Sequence, residues 1–163
     1  MSNWQNFDLK IDNTLLNDLA NASSNNSDFE ELPLGRYEVK INSMELTQSK
    51  NGDPMTKTIF EVVQGQYKGR YMFKNSVIYK GDSKDAWRLK QELNFINSLQ
   101  PINQVNFYSF SDFEKQISNA FADINSRKLE YLVEIKEKNN FRTYSVIEVY
   151  RPRADDAPFN NYN

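Results

Sequence analysis

From Tyr37 the chain alternates apolar and polar positions, with Tyr37, Val39 and Ile41 set against Glu38, Lys40 and Asn42. This is the two-residue period of a strand with one buried face. The alternation runs on to Met44 and Leu46 with a change of phase near Ser43, which predicts a bulge, the device that lets a long strand bend. Lys50-Asn51-Gly52-Asp53-Pro54 supplies a hairpin turn with Asn-Gly at its tip. A second strand is predicted over residues 55–64, a turn over 65–69 and a third strand over 70–78. The period then lengthens. Ala86, Leu89, Leu93, Ile96 and Leu99 share one helical face behind an Asp82-Ser83 cap and ahead of Pro101. Phe113, Ile117, Ala120, Phe121 and Ile124 define a second helix from Ser111. Strand period returns at Leu129, Tyr131, Val133 and Ile135, turns at Lys138-Asn139-Asn140 and resumes from Phe141 to Tyr150.

Three strands, a helical insert and two more strands predict a mainly β domain. It is read as a five-stranded OB-fold-like barrel, whose second and third strands and flanking loops form the binding face. Another small barrel or an open α+β sheet fits the same string. The domain is expected to span residues 32–151, starting at Leu32-Pro33-Leu34-Gly35. Before it, Leu15, Leu16 and Leu19 behind Asn13 suggest a short helical stretch, and the Asn, Ala and Ser of 21–27 a linker. Residues 1–31 are thus expected to be a flexible acidic segment and residues 152–163 a disordered polar tail.

Composition narrows the chemistry. The 163 residues include no cysteine and no histidine, which excludes disulfides, thiolate catalysis, His-based triads and the usual zinc sites. Only carboxylates with magnesium, or Lys and Tyr chemistry, stay open to an enzyme. No pair of carboxylates is placed for a magnesium-dependent nuclease, and five glycines, all at turns or strand ends, leave no phosphate-cradling loop. Asp28-Glu30-Glu31 lacks a second shell for a metal. No enzymatic activity, metal or cofactor is expected. The apolar runs are too short for a bilayer and the first residues lack a signal-peptide plan, so an intracellular protein is expected.

Charge is unevenly placed along the chain. Residues 1–33 carry one lysine against six acids, a net of −5, whereas residues 34–80 carry eight bases against four acids, a net of +4. A formal net charge of −2 therefore hides a basic module. Within it, residues 67–80 interleave Lys68, Arg70, Lys74 and Lys80 with Tyr67, Tyr71, Phe73 and Tyr79, and contain no acid. Phosphates pair with Lys and Arg while bases stack on aromatics, so this spacing suits single-stranded nucleic acid. It equally suits a half-buried strand with a solvated face. Alternation sets Tyr71 and Phe73 on one face and Arg70, Met72 and Lys74 on the other. If Tyr71 and Phe73 are core, the stackers come from Tyr67, Tyr79 and the last hairpin. The candidate nucleic-acid contacts are therefore Lys50, Lys57, Tyr67, Lys68, Arg70, Lys74, Tyr79, Lys80, Phe141, Arg142 and Tyr144. Trp87, off the helical stripe, is expected to pack at the core edge, with base stacking as the alternative.

Leu34-Gly35-Arg36-Tyr37-Glu38-Val39-Lys40-Ile41, Ser49-Lys50-Asn51-Gly52-Asp53-Pro54-Met55 and Phe60-Glu61-Val62-Val63-Gln64-Gly65-Gln66-Tyr67-Lys68-Gly69-Arg70 resemble a phage-encoded family long catalogued as a domain of unknown function. Its members are regarded as single-stranded DNA-binding proteins with an OB-like core, encoded among recombination and replication genes. The resemblance covers residues 33–80 well and the remainder by element order. It implies a non-catalytic single-stranded DNA-binding protein in the cytoplasm of an infected bacterial host, with phage recombination or replication proteins as partners and homo-oligomers open to it. The rival reading is a protein–protein interaction module, an inhibitor or assembly factor, whose exposed aromatics are hot spots. In the tail, Asp155-Asp156-Ala157-Pro158-Phe159 is similar to the acidic ending by which bacterial single-strand-binding proteins recruit partner enzymes. Four residues follow the Phe here, displacing the terminal carboxylate that such partners recognise.

The −5 segment is expected to shield the basic module when DNA is absent, because tethered opposite charges associate weakly and salt-dependently. Deleting residues 1–31 should tighten binding to oligo-dT, more so at low salt. Unchanged or weaker binding by the truncated, folded protein would reject the shield.

Overall fold

The computed structural model describes residues 31–151. Its elements are β1 (Gly35–Gln48), β2 (Pro54–Val62), β3 (Tyr71–Val77), α1 (Asp85–Ser98), α2 (Phe110–Ser126), β4 (Glu130–Lys138) and β5 (Phe141–Tyr150). The leucine pattern of residues 15–19, the 21–27 linker, the Asp28–Glu30 acids and the Asp155–Phe159 motif lie outside the described residues.

The strands form one antiparallel sheet in the order β3-β2-β1-β4-β5. β1 is long enough to serve two neighbours: residues from Val39 onward pair with β2, and Gly35 to Lys40 pair with β4. The expected bulge is present, as a register shift between Ile41 and Ser43. It restores the phase of alternation, so that Ile41 and Met44 are both buried although three residues apart. The β4–β5 turn places Asn139 and Asn140 at φ 53° and 67°, the left-handed pair that a two-residue hairpin needs and asparagine tolerates.

The expectation of a barrel is corrected: the sheet does not close. β3 pairs only with β2 and β5 only with β4, so a partly barrel-like order ends in two free edges. The reason lies in the insert. α1 packs against the inner face, with Phe95 edge-on to Phe60 of β2 at 6.1 Å, and it also touches β5. Tyr144 of β5 also stacks on Phe60, with ring centroids 6.2 Å apart. Side chains thus fill the space that a β3–β5 ladder would have to cross. α2 packs on β1, burying Phe113, Ile117, Ala120 and Ile124, four of the five residues that define its stripe. Its cap is Ser109, whose Oγ accepts from the Asp112 N–H at 3.1 Å.

α1 departs from its predicted stripe. Glu92, Phe95 and Ile96 are buried on it, with Leu99 just beyond its end, whereas Ala86 is exposed. The core includes Val39, Phe60, Val62, Ile78, Tyr131, Val133 and Ile135, all at 2% exposure or less. The Tyr131 hydroxyl donates to the Leu99 carbonyl at 2.8 Å, and burial pushes its pKa far above the usual phenol value. No helix among the described residues is long and apolar enough to cross a membrane.

Candidate functional site

The turn between β2 and β3 is built on two left-handed glycines, Gly65 and Gly69, at φ 86° and 91°. The Gly69 N–H closes it on the Val62 carbonyl at 2.8 Å, and the Arg70 N–H donates to the Tyr67 carbonyl at 2.9 Å. A side chain at either glycine would be strained in this conformation. The turn holds the Tyr67 ring edge-on to Tyr37 at 5.9 Å and brings the Arg70 guanidinium to 6.0 Å from its centroid. Lys68 projects from the same turn and is exposed. Burial raises the Tyr37 phenol above its usual pKa, Tyr67 adds to the rise and the positive charge of Arg142 opposes it. Arg142, from the last hairpin, therefore lies within electrostatic reach of this cluster.

β3 decides which of its two faces is inside. Tyr71 and Phe73 are not core: they are 51% and 47% exposed, while Met72 between them is buried. The register explains the sides. Phe73 lies opposite Ile59 and Tyr71 opposite Glu61, both on the outer face of β2, whereas Met72 lies opposite the fully buried Phe60. Two rings at positions i and i+2 of a strand stand about 7 Å apart on one face. Because β3 is an edge strand, they border solvent on one side.

Lys74 leaves the candidate set for the same reason. It shares the inner face with Met72, and its Nζ donates to Glu92 Oε1 at 2.7 Å and to Ser76 Oγ at 2.8 Å. The ammonium also sits 4.1 Å from the Phe95 ring centroid. Its side chain is 13% exposed and that of Glu92 3%. The second carboxylate oxygen of Glu92 accepts from the Thr56 hydroxyl at 2.6 Å. A lysine so committed is not offered to a phosphate.

The remaining candidates fall into two groups, at opposite ends of β3. Next to Tyr71 are Tyr67, Lys68 and Arg70 of the β2–β3 turn, with Arg142 in electrostatic reach of Tyr37 beside that turn, while the highly exposed Phe141 stands at the β4–β5 hairpin. Tyr144 is turned inward onto Phe60 rather than outward. At the other end, the Ile78 N–H bonds to the Pro54 carbonyl, so Tyr79 and Lys80 emerge beside the β1–β2 turn that bears exposed Lys50. Tyr79 is exposed and meets Phe110 edge-on at 5.4 Å. Lys57 stands between the groups on the outer face of β2, half-exposed, opposite Glu45 and Asn75.

Beyond Lys80, the carboxylate of Asp85 accepts the N–H groups of Lys80, Gly81 and Asp82 at 2.8 to 3.0 Å. Asp82 and Asp85 both bind the Arg88 guanidinium at 2.7 Å. The hydrogen bond from Arg88, and then that from the Lys84 N–H, lowers the Asp82 pKa to about 2. This network, rather than an Asp82-Ser83 cap, opens α1, whose N-cap is Lys84 with no side-chain bond. Trp87 is also not at a core edge: it is 63% exposed. Among the described residues no three acidic side chains gather as a metal site requires.

The arrangement can therefore present two stacking rings between two basic ends along a free sheet edge. A family model described as "Protein of unknown function (DUF669)" matches residues 20–159 of this chain. No curated protein matches it.

Proposed function

Since the chain belongs to this DUF669 family of proteins of unknown function, we propose for it a non-catalytic role: binding single-stranded DNA in phage replication or recombination, within the host cytoplasm. The observation that supports this most is the exposure of Tyr71 and Phe73 on the outer face of the edge strand. Aromatic side chains left half in water lose hydrophobic stabilisation, and rings at strand spacing can each accept a base. Lys68 and Arg70 at one end and Lys50 and Lys80 at the other supply phosphate contacts along the same edge. Base stacking is tolerant of sequence, so little base preference is expected. Phage recombination or replication proteins would be the partners that such a strand-coating protein meets.

The test is a titration with labelled oligo-dT and with duplex of equal length at two salt concentrations. The single strand should bind more tightly, with log affinity falling by about 0.7 per phosphate neutralised for each unit of log salt. Reversing Lys68 and Arg70 to Glu should weaken binding and flatten that slope by about 0.7 for each phosphate left without its cation. Equal affinity for duplex, or a folded double variant with the wild-type slope, would overturn the assignment of this face. A surface that is indifferent to DNA and binds protein with little dependence on salt would instead favour the protein–protein module.

A further inference from the structure

β3 passes into α1 through residues 78–84, and α1 carries an outer side unlike the rest of the described helices. Lys84, Trp87, Lys90, Gln91 and Asn94 are all exposed. Trp87, Lys90, Gln91 and Asn94 follow the spacing that gathers residues on one side of a helix. The acids nearby are all ion-paired: Asp82 and Asp85 share the single guanidinium of Arg88, and Glu92 meets Lys74 at the buried face. α1 thus offers water two lysines and an indole, with no carboxylate that is not ion-paired. Tyr79 and Lys80 lead directly from β3 to this side.

We propose that the exposed side of α1 is a second contact surface for the same DNA strand, which turns at Tyr79 and Lys80 and runs over Lys84, Trp87 and Lys90. Trp87 stacks a base and the two lysines meet phosphates on either side of it. The inference rests on the single-strand reading of β3. It adds a length dependence that β3 alone does not produce. β3, at seven residues, spans roughly 23 Å, and the first two turns of α1 extend the track by about 10 Å. A short oligonucleotide can be held on β3; a longer one reaches the indole.

The full chain contains two tryptophans, Trp4 and Trp87, so Trp4→Phe leaves Trp87 as the sole indole reporter. With this variant, an oligo-dT of about 16 nucleotides should quench the emission, and one of about 6 should not, both lengths lying within the roughly 4–16 nucleotides that an OB-fold covers. In binding assays the triple change Trp87→Ala, Lys84→Glu and Lys90→Glu should weaken the longer oligonucleotide by about 10-fold or more, and leave the shorter within about 2-fold. Absence of quenching by the longer oligonucleotide, while it still binds and still depends on Tyr71 and Phe73, would overturn the second surface and leave the β3 reading standing. If neither oligonucleotide binds the wild-type chain, the β3 reading falls, and the α1 surface with it. The quenching measurement keeps Trp87, Lys84 and Lys90 intact, so misfolding of the triple variant cannot mask the result.

Discussion

Replacing both Tyr71 and Phe73 by alanine should nearly abolish binding to single strands while leaving the fold intact. Stacking on one aromatic side chain is worth about 1–3 kcal/mol per base, or about 5- to 150-fold in affinity for each ring. Both rings are about half exposed, so their removal opens no internal cavity and should change stability by little. The salt slope should remain close to that of the wild type, because no charge is altered. This separates the pair from Lys68 and Arg70, whose reversal acts on the slope. The measurement is fluorescence anisotropy with oligo-dT over a salt series, accompanied by circular dichroism. A folded Tyr71→Ala/Phe73→Ala protein that binds within about 2-fold of wild type would remove β3 as the interface.

The second large effect concerns stability. Glu92→Gln should cost about 3–5 kcal/mol, because it leaves the Lys74 ammonium at the inner face without its counter-charge. Lys74→Met should be comparably costly, since the Glu92 carboxylate then keeps only the Thr56 hydroxyl, 2.6 Å away. Changing both together, Lys74→Met with Glu92→Leu, should recover most of the loss, because removing a buried pair as a unit is often neutral. Thr56 retains a longer contact to the Ser76 carbonyl, at 3.4 Å. Urea denaturation of the three variants provides the comparison. If Glu92→Gln shifts the midpoint no more than an exposed substitution does, the pair contributes no such stabilisation. Lys74→Met is also informative in binding: its salt slope should match the wild type, whereas a phosphate contact would lower it.

Lys74 also shows why the element order is legible in the chain while the working face is not. Strand and helix periods depend on spacing alone, and the bulge near Ser43, the Asn139-Asn140 turn and the helical insert all follow from it. Alternation divides β3 into two faces but does not say which one is inside. Two bases, Arg70 and Lys74, mark their face as the solvated one. What reverses it is Glu92, eighteen residues further on in a helix, which supplies an inward charge partner that no local pattern contains. The same acid displaces the predicted stripe of α1: a glutamate at a helix position reads as exposed, yet Glu92 is among its most buried residues. Trp87 departs from the converse rule, that a large indole seeks the interior. Closure of the sheet lies beyond the pattern too, because it depends on whether α1 leaves room between β3 and β5.

The double service of β1 sets how the chain assembles. β1, β2 and β3 are consecutive and joined by short turns, so their ladders close small loops. The pairing of β1 with β4 instead joins Lys40 to Glu130, enclosing β2, β3 and both helices in a single loop. Its entropic cost grows only with the logarithm of length, about 0.6 kcal/mol for each doubling, yet it must be met before the β4–β5 hairpin can join the sheet. The meander of the first three strands, which bears Tyr71 and Phe73, thus takes shape without any long-range encounter, as does the β4–β5 hairpin; only their union needs one. Once the large loop is closed, a few residues added near Asn103, in the connection between the helices, lengthen it by a small fraction and cost less than about 0.1 kcal/mol in closure entropy.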